Sequence, residues 1–255
     1  MATIIDLSKT IAYNRNDPWF MRIKIKHRPH KKSYLIIRYF VGLPAKLFPK
    51  GFKGWADDTI EHMGVHATTH IDAPWHYGPI VEGKKAKTVD EIPLEWCYGD
   101  GIVINMSYKA EHDPITVTDL KQELSKTGAV VKPGTIVLIR TDRDKFSGTK
   151  EFPYKGTGMS REATEWLIEQ GVKVMGTDQW GWDLPLKHMA EKAKAKQDDT
   201  LFWEGHLAGI EREYCHMEQL TNLAALPASG FKVAVFPLKI KGASAAPARV
   251  VAILE

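Results

Sequence analysis

Four of the ten histidines fall within residues 62–76: His62, His66, His70 and His76, with Asp72 among them. Even scattering would place fewer than one there, so the cluster is the feature to explain. Neutral imidazoles with a carboxylate are the donor set that suits zinc or manganese. His66, His70 and Asp72 therefore form a chemically sensible ligand group, and His76, just past Pro74, stands where it could move a proton. The spacing constrains the backbone. In a straight strand His66 and His70 would lie ~13 Å apart at Cα, against ~6 Å in a helix. Gly64, the β-branched Thr68, Thr69 and Ile71, and Pro74 all disfavour a regular helix. The passage is therefore expected to run as a bent loop into a strand, with Asp72 on the same face as His70. The competing reading is a helix carrying a histidine stripe at 62, 66 and 70.

Further ligands would have to come from elsewhere, and residues 203–223 (WEGHLAGIEREYCHMEQLTNL) offer several. His206 and Glu218 are natural candidates, while Glu204, Glu211, Glu213 and His216 can be argued equally well. Alternation of Tyr214, His216 and Glu218 suits a short strand. Spacing alone does not choose among them. Phe40, Phe48, Trp55, Trp75, Trp180 and Trp182 could line an aromatic pocket, although ordinary packing accounts for any one of them.

The elements that must position these residues read as mixed α/β. Strands are expected over 101–108, 136–141, 172–177, 231–240 and 248–254. Helices are expected from Thr116 towards Gly128 and from the capping Ser160 to Gly171. Residues 21–32 alternate Met21, Ile23 and Ile25 with Arg22, Lys24 and Lys26, which predicts a lysine-guarded edge strand running into a basic loop. Residues 187–199 mix both charges and read as a solvated helix or surface loop. Loop-rich stretches cover 44–56 and 147–158. No repeat, composition shift or Pro/Ser-rich linker divides the chain, so one domain over 1–255 is expected.

Composition excludes several classes. With 255 residues, 44% hydrophobic and 26% charged, the chain reads as globular rather than disordered. Its most apolar stretch, 34–48, is broken by Arg38, Pro44 and Lys46, short of the ~20 apolar residues of a membrane span. Asp6 and Lys9 stand where a secretory core would be apolar, so a cytoplasmic protein is expected. Cys97 and Cys215 read as buried hydrophobes. The net charge of +4 is small, and no aromatic-interleaved basic motif accompanies it, so neither nucleic acid nor membrane is an expected partner.

The stretch His66-Ala-Thr-Thr-His70-Ile-Asp72-Ala-Pro74-Trp-His76 resembles the HxGTHxDxPxH signature of the cyclase family of metal-dependent hydrolases, which includes bacterial kynurenine formamidase and isatin hydrolase. Ile5-Asp6-Leu7-Ser8, residues 135–141, Gly176-Thr177-Asp178 and the closing 242–249 (GASAAPAR) extend the likeness over most of the chain. His206 and Glu218, twelve apart, match the family's downstream ligands. The resemblance implies that His66, His70 and Asp72 hold one metal, with Asp72 bridging to a second held by His206 and Glu218. His76 becomes the acid/base or a further ligand. It also implies a swivelling β/β/α domain with a mixed sheet, a divalent zinc or manganese cofactor of one or two ions per chain, and a homodimer or homotetramer. The implied activity is hydrolysis of an amide C–N bond in a small aromatic substrate, an arylformamide such as N-formylkynurenine. Ring opening of a cyclic amide or lactone, or lyase and dehydratase chemistry at the same metal, is the alternative. Thr68 replaces the motif's glycine, Lys9 stands where many members have histidine, and extra sequence lies before His66 and between Leu184 and His206.

Overall fold

β-Branched runs and well-capped helices alternate through the second half of the chain, and the computed structural model, which describes residues 2–254, shows what they build. Contacts divide the chain into two compact units: residues through Thr10 together with those from Val65 onward, and Ile11–Gly64. No Pro/Ser-rich linker marks either boundary.

The larger unit is organised by an eight-stranded mixed sheet: β1 (Thr3–Asp6), β2 (His70–Asp72), β3 (Tyr98–Asn105), β4 (Ile136–Arg140), β5 (Val174–Thr177), β6 (Cys215–Glu218), β7 (Phe231–Pro237) and β8 (Ala245–Leu254). The order is β1-β8-β7-β3-β4-β5-β6-β2, and β2 also pairs with β8, so seven strands close on themselves like a barrel. Strands β3 to β6 run parallel, whereas β2 is antiparallel to both β6 and β8. This mixed α/β sheet agrees with the expected fold class.

Strand alternation splits the core in two. Ile136, Leu138, Val174, Met217 and Ile71 pack into one cluster, while Val137, Ile139, Met175, Tyr77, Trp182 and Tyr214 pack into the other. Helices α1 (Val117–Thr127) and α2 (Arg161–Glu169) cover the second cluster through Leu120, Ala163 and Leu167. Their ends follow the sequence. Thr116 and Asp119 form a capping box, the Ser160 hydroxyl accepts from Ala163 N–H, and Gly128 and Gly171 take the left-handed conformation just past each helix. The 187–199 stretch resolves as a helix, α3 (Leu186–Lys196), with Met189 its one buried residue. A further helix, α4 (Glu204–Glu211), precedes β6.

In the smaller unit the basic strand is present as Lys24–Arg28, paired antiparallel with Asp57–His62. The sequence expectation of a loop after it is corrected. His30–Ile36 is helical behind Pro29 and runs on as a wider turn, Ile37–Val41, to Gly42 at φ 76°. Proline fits the start of a helix because its missing N–H would be unsatisfied there anyway. Gly54 adopts φ 94° where a side chain would overlap the His30 carbonyl oxygen. Among the described residues no helix is long and apolar enough to cross a membrane.

One glycine of the larger unit ties the fold to the histidine cluster. A Cβ at Gly158 would lie 2.0 Å from the Leu184 nitrogen and 2.2 Å from the Asp183 carbonyl carbon, both backbone atoms with little freedom to yield. Gly158→Ala is expected to destabilise the protein by roughly 2–3 kcal/mol through this overpacking. Urea unfolding followed by tryptophan fluorescence checks it, and an unchanged midpoint would refute it.

Candidate metal centre

Register builds the centre. His216 lies opposite Asp72 and Glu218 lies opposite His70 across the β2–β6 pair, so all four side chains leave one face of the sheet. Ile71 and Met217, between them, leave the other face for the core. Pairing of Ala245 with Asp72 on the far side of β2 leaves that short strand held on both edges. His66 reaches the same spot through the irregular turn at 65–69, without a helix and without left-handed backbone at Thr68. His76 comes from the single turn Pro74–Tyr77, and His206 from α4. His62 belongs to the smaller unit, where its Nε2 faces the Phe20 carbonyl.

Asp72 is the hub. Its carboxylate lies 2.8 Å from His66 Nδ1, 3.3 Å from His70 Nε2, 3.2 Å from His216 Nε2, 3.8 Å from His76 Nε2 and 3.9 Å from His206 Nε2. Glu218 stands 3.3 Å from His216 Nε2, 3.5 Å from His70 Nε2 and 3.6 Å from His206 Nε2. Two donor groups share Asp72: one with His206, His216 and Glu218, the other with His66 and His76. His70 sits between them.

Hydrogen bonds behind the rings fix which nitrogen meets the carboxylates. His70 Nδ1 lies 2.6 Å from the Thr68 carbonyl, which can only accept, so that nitrogen carries its hydrogen. His206 Nδ1 donates to the Asp183 carboxylate, which also accepts from the Gly205 and His206 N–H groups. His216 Nδ1 lies 3.1 Å from both the Tyr77 and Tyr214 hydroxyls. Those hydroxyls donate to the Asp72 and Gly205 carbonyls, leaving their oxygens to accept from His216. Every one of these three buried imidazoles thus presents Nε2 to the carboxylates. Trp182 stacks beneath His216 at 5.1 Å; its backbone N–H donates to Glu218 Oε1 and its indole N–H to the Thr164 hydroxyl.

The donor set fits a divalent cation on an observation of this structure. His70 Nε2, His216 Nε2 and both Asp72 oxygens are buried with no hydrogen-bond partner, although they lie within ion-pair distance of one another. Buried polar atoms left unpaired are costly, and atoms converging on one point at the wrong angles for hydrogen bonds are what a cation would satisfy. Charges show the same need. Burial opposes ionisation of Asp72, but His70 and His66 outweigh it and hold its carboxyl well below the usual range. Burial likewise opposes charge on His216, yet Asp72 and Glu218 push it up to about 9, and they raise His70 too. His76 moves the opposite way: burial first, then His66 and His206, bring it down to about 4 despite Asp72 and Glu218, so its ring is neutral at pH 7.

Each residue that the motif points to is thus brought to one place, and two more join them. His216 was one of several open choices, although the Tyr214-His216-Glu218 alternation carries its signal. Asp183 had no signal, lying in a loop remote in sequence from His206. Lys9 stands beside the centre: its N–H donates to Thr69 Oγ1 and its Nζ to Gln219 Oε1, while Gln219 Nε2 donates to the His66 carbonyl. Of the aromatic candidates, Trp182 underlies the centre and is fully buried, whereas Trp75 is partly exposed and Phe40, Phe48 and Trp55 belong to the smaller unit. Trp203 was not among them, yet its ring stacks on His206 at 4.4 Å.

Metal binding must displace the proton of His216, because a ligating imidazole is neutral. Zinc added to metal-free protein at pH 7 is expected to release about one proton per chain, falling as the pH rises through about 9. Calorimetry in buffers of different ionisation enthalpy measures the number, and no release at pH 7 would contradict this charge arrangement. In the same titration Asp183→Ala is expected to weaken zinc binding by roughly 10- to 100-fold, since it frees the His206 ring. Unaltered affinity would show that Asp183 does not orient it.

Comparison with known proteins gives the lineage. The family model described as "Putative cyclase" matches residues 5–184. The chain is 26% identical over 204 residues to isatin hydrolase of Roseibium aggregatum, covering 75% of this chain and 73% of that protein. It is 25% identical over 195 residues to kynurenine formamidase of Salinibacter ruber, covering 74% and 76%. Isatin hydrolase A from Ralstonia solanacearum superposes with a TM-score of 0.73 at 25% identity, over 100% of this chain and 92% of that one. A match across most of the chain, with curated relatives that are hydrolases, leads to one conclusion: the chain belongs to the Cyclase family.

Proposed function

We propose that this protein is a metal-dependent hydrolase that cleaves an amide C–N bond of a small aromatic substrate, an arylformamide such as N-formylkynurenine. The observation that carries the reading is the set of buried, unpaired imidazole and carboxylate atoms converging on Asp72. Two relatives, an isatin hydrolase and a kynurenine formamidase, support the bond type, because both names describe opening of an amide. The isatin relative favours a second form of the same reaction, ring opening of a cyclic amide.

His66, His70, Asp72, His206, His216 and Glu218 would hold the cation, zinc or manganese, in one or two ions about the shared Asp72. When bound, such an ion supplies Lewis acidity that polarises a carbonyl and makes water a nucleophile near neutral pH. The protein's own groups do the rest. Asp183, Thr68 and the two tyrosines keep each Nε2 aimed inward, so no reorganisation is needed when charge develops. His76 is neutral, half-buried at the edge of the cluster and 3.8 Å from Asp72, so its Nε2 can accept the proton of the attacking water. Asp72 steadies the imidazolium that results. His76 then returns the proton to the leaving nitrogen as the C–N bond breaks, and the water oxygen stays on the carbonyl carbon. A linear formamide releases formate and an amine; a cyclic amide opens to a carboxylate.

The smaller unit supports assembly into a homodimer or homotetramer. Ile11–Gly64 carries eleven Lys and Arg against four Asp and Glu, a charge of +7, which leaves −3 for the remainder of a +4 chain. It also exposes Trp19, Phe20, Tyr39, Phe40 and Val41, apolar side chains that a single copy leaves in water. A second copy's acidic larger unit complements the charge, burial of these side chains against that copy would remove them from water, and light scattering should report a mass at least twice that of the chain. Unpaired, buried Cys97 and Cys215 fit a cytoplasmic setting.

The test is turnover by zinc- and manganese-loaded protein on N-formylkynurenine and isatin in parallel. One of them is expected to be hydrolysed with one oxygen taken from labelled water, and Asp72→Ala is expected to lose on the order of 1000-fold in kcat/KM. Near wild-type turnover in Asp72→Ala would sink the scheme.

A further inference from the structure

The stretch from Leu184 to His206 delivers one aromatic ring to the edge of the metal centre. Trp203 stacks on the His206 imidazole, with ring centres 4.4 Å apart and planes 18° from parallel, and stands edge-on to His76 at 5.3 Å and 83°. It does so from a backbone conformation, φ 62°, that bulky residues rarely adopt. The surroundings enforce that conformation. Trp203 N–H points to the Met189 sulfur of α3, its carbonyl accepts from Leu207 N–H, and the next turn is anchored by Asp183 on Gly205 and His206. Helix α3 is itself held by buried Met189 and by His188, whose ring stacks on His112 at 4.0 Å. An outlying backbone so determined by its neighbours is characteristic of functional positions.

We infer that Trp203 is the specificity-determining residue of this site, the aromatic wall that selects substrates carrying an aryl group beside the scissile amide. The inference rests on the amide-hydrolase reading for the identity of the substrate, though not for the stacking itself. His76 is the half-buried imidazole that must reach the scissile group, and the indole is its immediate neighbour, so a group bound beside His76 lies against Trp203. A flat aryl ring gains offset stacking there beyond its buried area, and an alkyl chain does not. Trp203 acts on binding rather than on proton movement, which remains with His76.

The probes are phenylurea and butylurea, amide analogues that resist hydrolysis, titrated calorimetrically into zinc-loaded protein. Wild type is expected to bind phenylurea about tenfold more tightly than butylurea. Trp203→Leu, with zinc content verified, is expected to bring the two within about twofold, and Trp203→Phe to retain a preference of a few fold. With formanilide and N-butylformamide as substrates, the Leu variant should lower the ratio of their kcat/KM values by about tenfold. A phenylurea preference that survives in Trp203→Leu overturns the inference, as does an equal loss for both ureas. Should the Leu variant fail to hold zinc, the Phe variant decides, because a preference there equal to wild type, or absent, also overturns it. Wild type without a phenylurea preference removes this inference and leaves the hydrolase reading standing; a preference without hydrolysis of any amide does the reverse.

Discussion

A carboxylate with no access to water must be neutralised by what surrounds it, and Asp72 is such a group. Removing an ion from water costs several kcal/mol even after relaxation, so the fold has to return that energy through charges placed close by. His66, His70 and His216 do so from the turn at 65–69, β2 and β6, while His76 and His206 close round the carboxylate from the single turn at Pro74 and helix α4. The rest of the larger unit can be understood as the frame that keeps these segments together. Closure of the sheet through β2 prevents its three residues from becoming a free edge, and α4 is seated by Asp183 rather than by a sequence cap of its own.

Rigidity at the centre comes from groups one step removed. A carbonyl, a carboxylate and a pair of tyrosines each hold the far nitrogen of one histidine. These contacts cost little in a folded core that already buries Tyr77, Tyr214 and Trp182, and they remove the freedom of the rings before any ion arrives. The arrangement also explains why the neighbouring imidazoles differ so much in basicity. His216 lies between two carboxylates and is pushed up, whereas His76, farther from Asp72 and facing other imidazoles, is brought down by its partial burial first. One such cluster can therefore hold a cation and a proton acceptor side by side.

Much of this was legible in the sequence because local rules decided it. The caps at Thr116 and Ser160, the stops at Gly128 and Gly171, and the β-branched runs named their own elements. The density of histidine around Asp72 marked the site, and proline with β-branched residues ruled out a helix there. Other features depended on contacts that spacing cannot encode. His216 is distinguished from Glu211 or Glu213 only by the register that sets it opposite Asp72. Asp183 and Trp203 gain their meaning from a tertiary meeting with His206, and the helix after Pro29 forms in a segment whose basic residues suggested a loop.

Closure of the sheet has a temporal side. The strand carrying His70 and Asp72 is completed only by partners that lie more than half the chain later, β6 and β8. Pairings this distant in sequence are slow to form, because the entropy of closing the intervening loop is lost before the contacts return it. On the ribosome the first histidines therefore emerge long before the strand edges that bury them, and until then their rings have no fixed positions. Any selection among cations would then be a property of the finished barrel rather than of the motif.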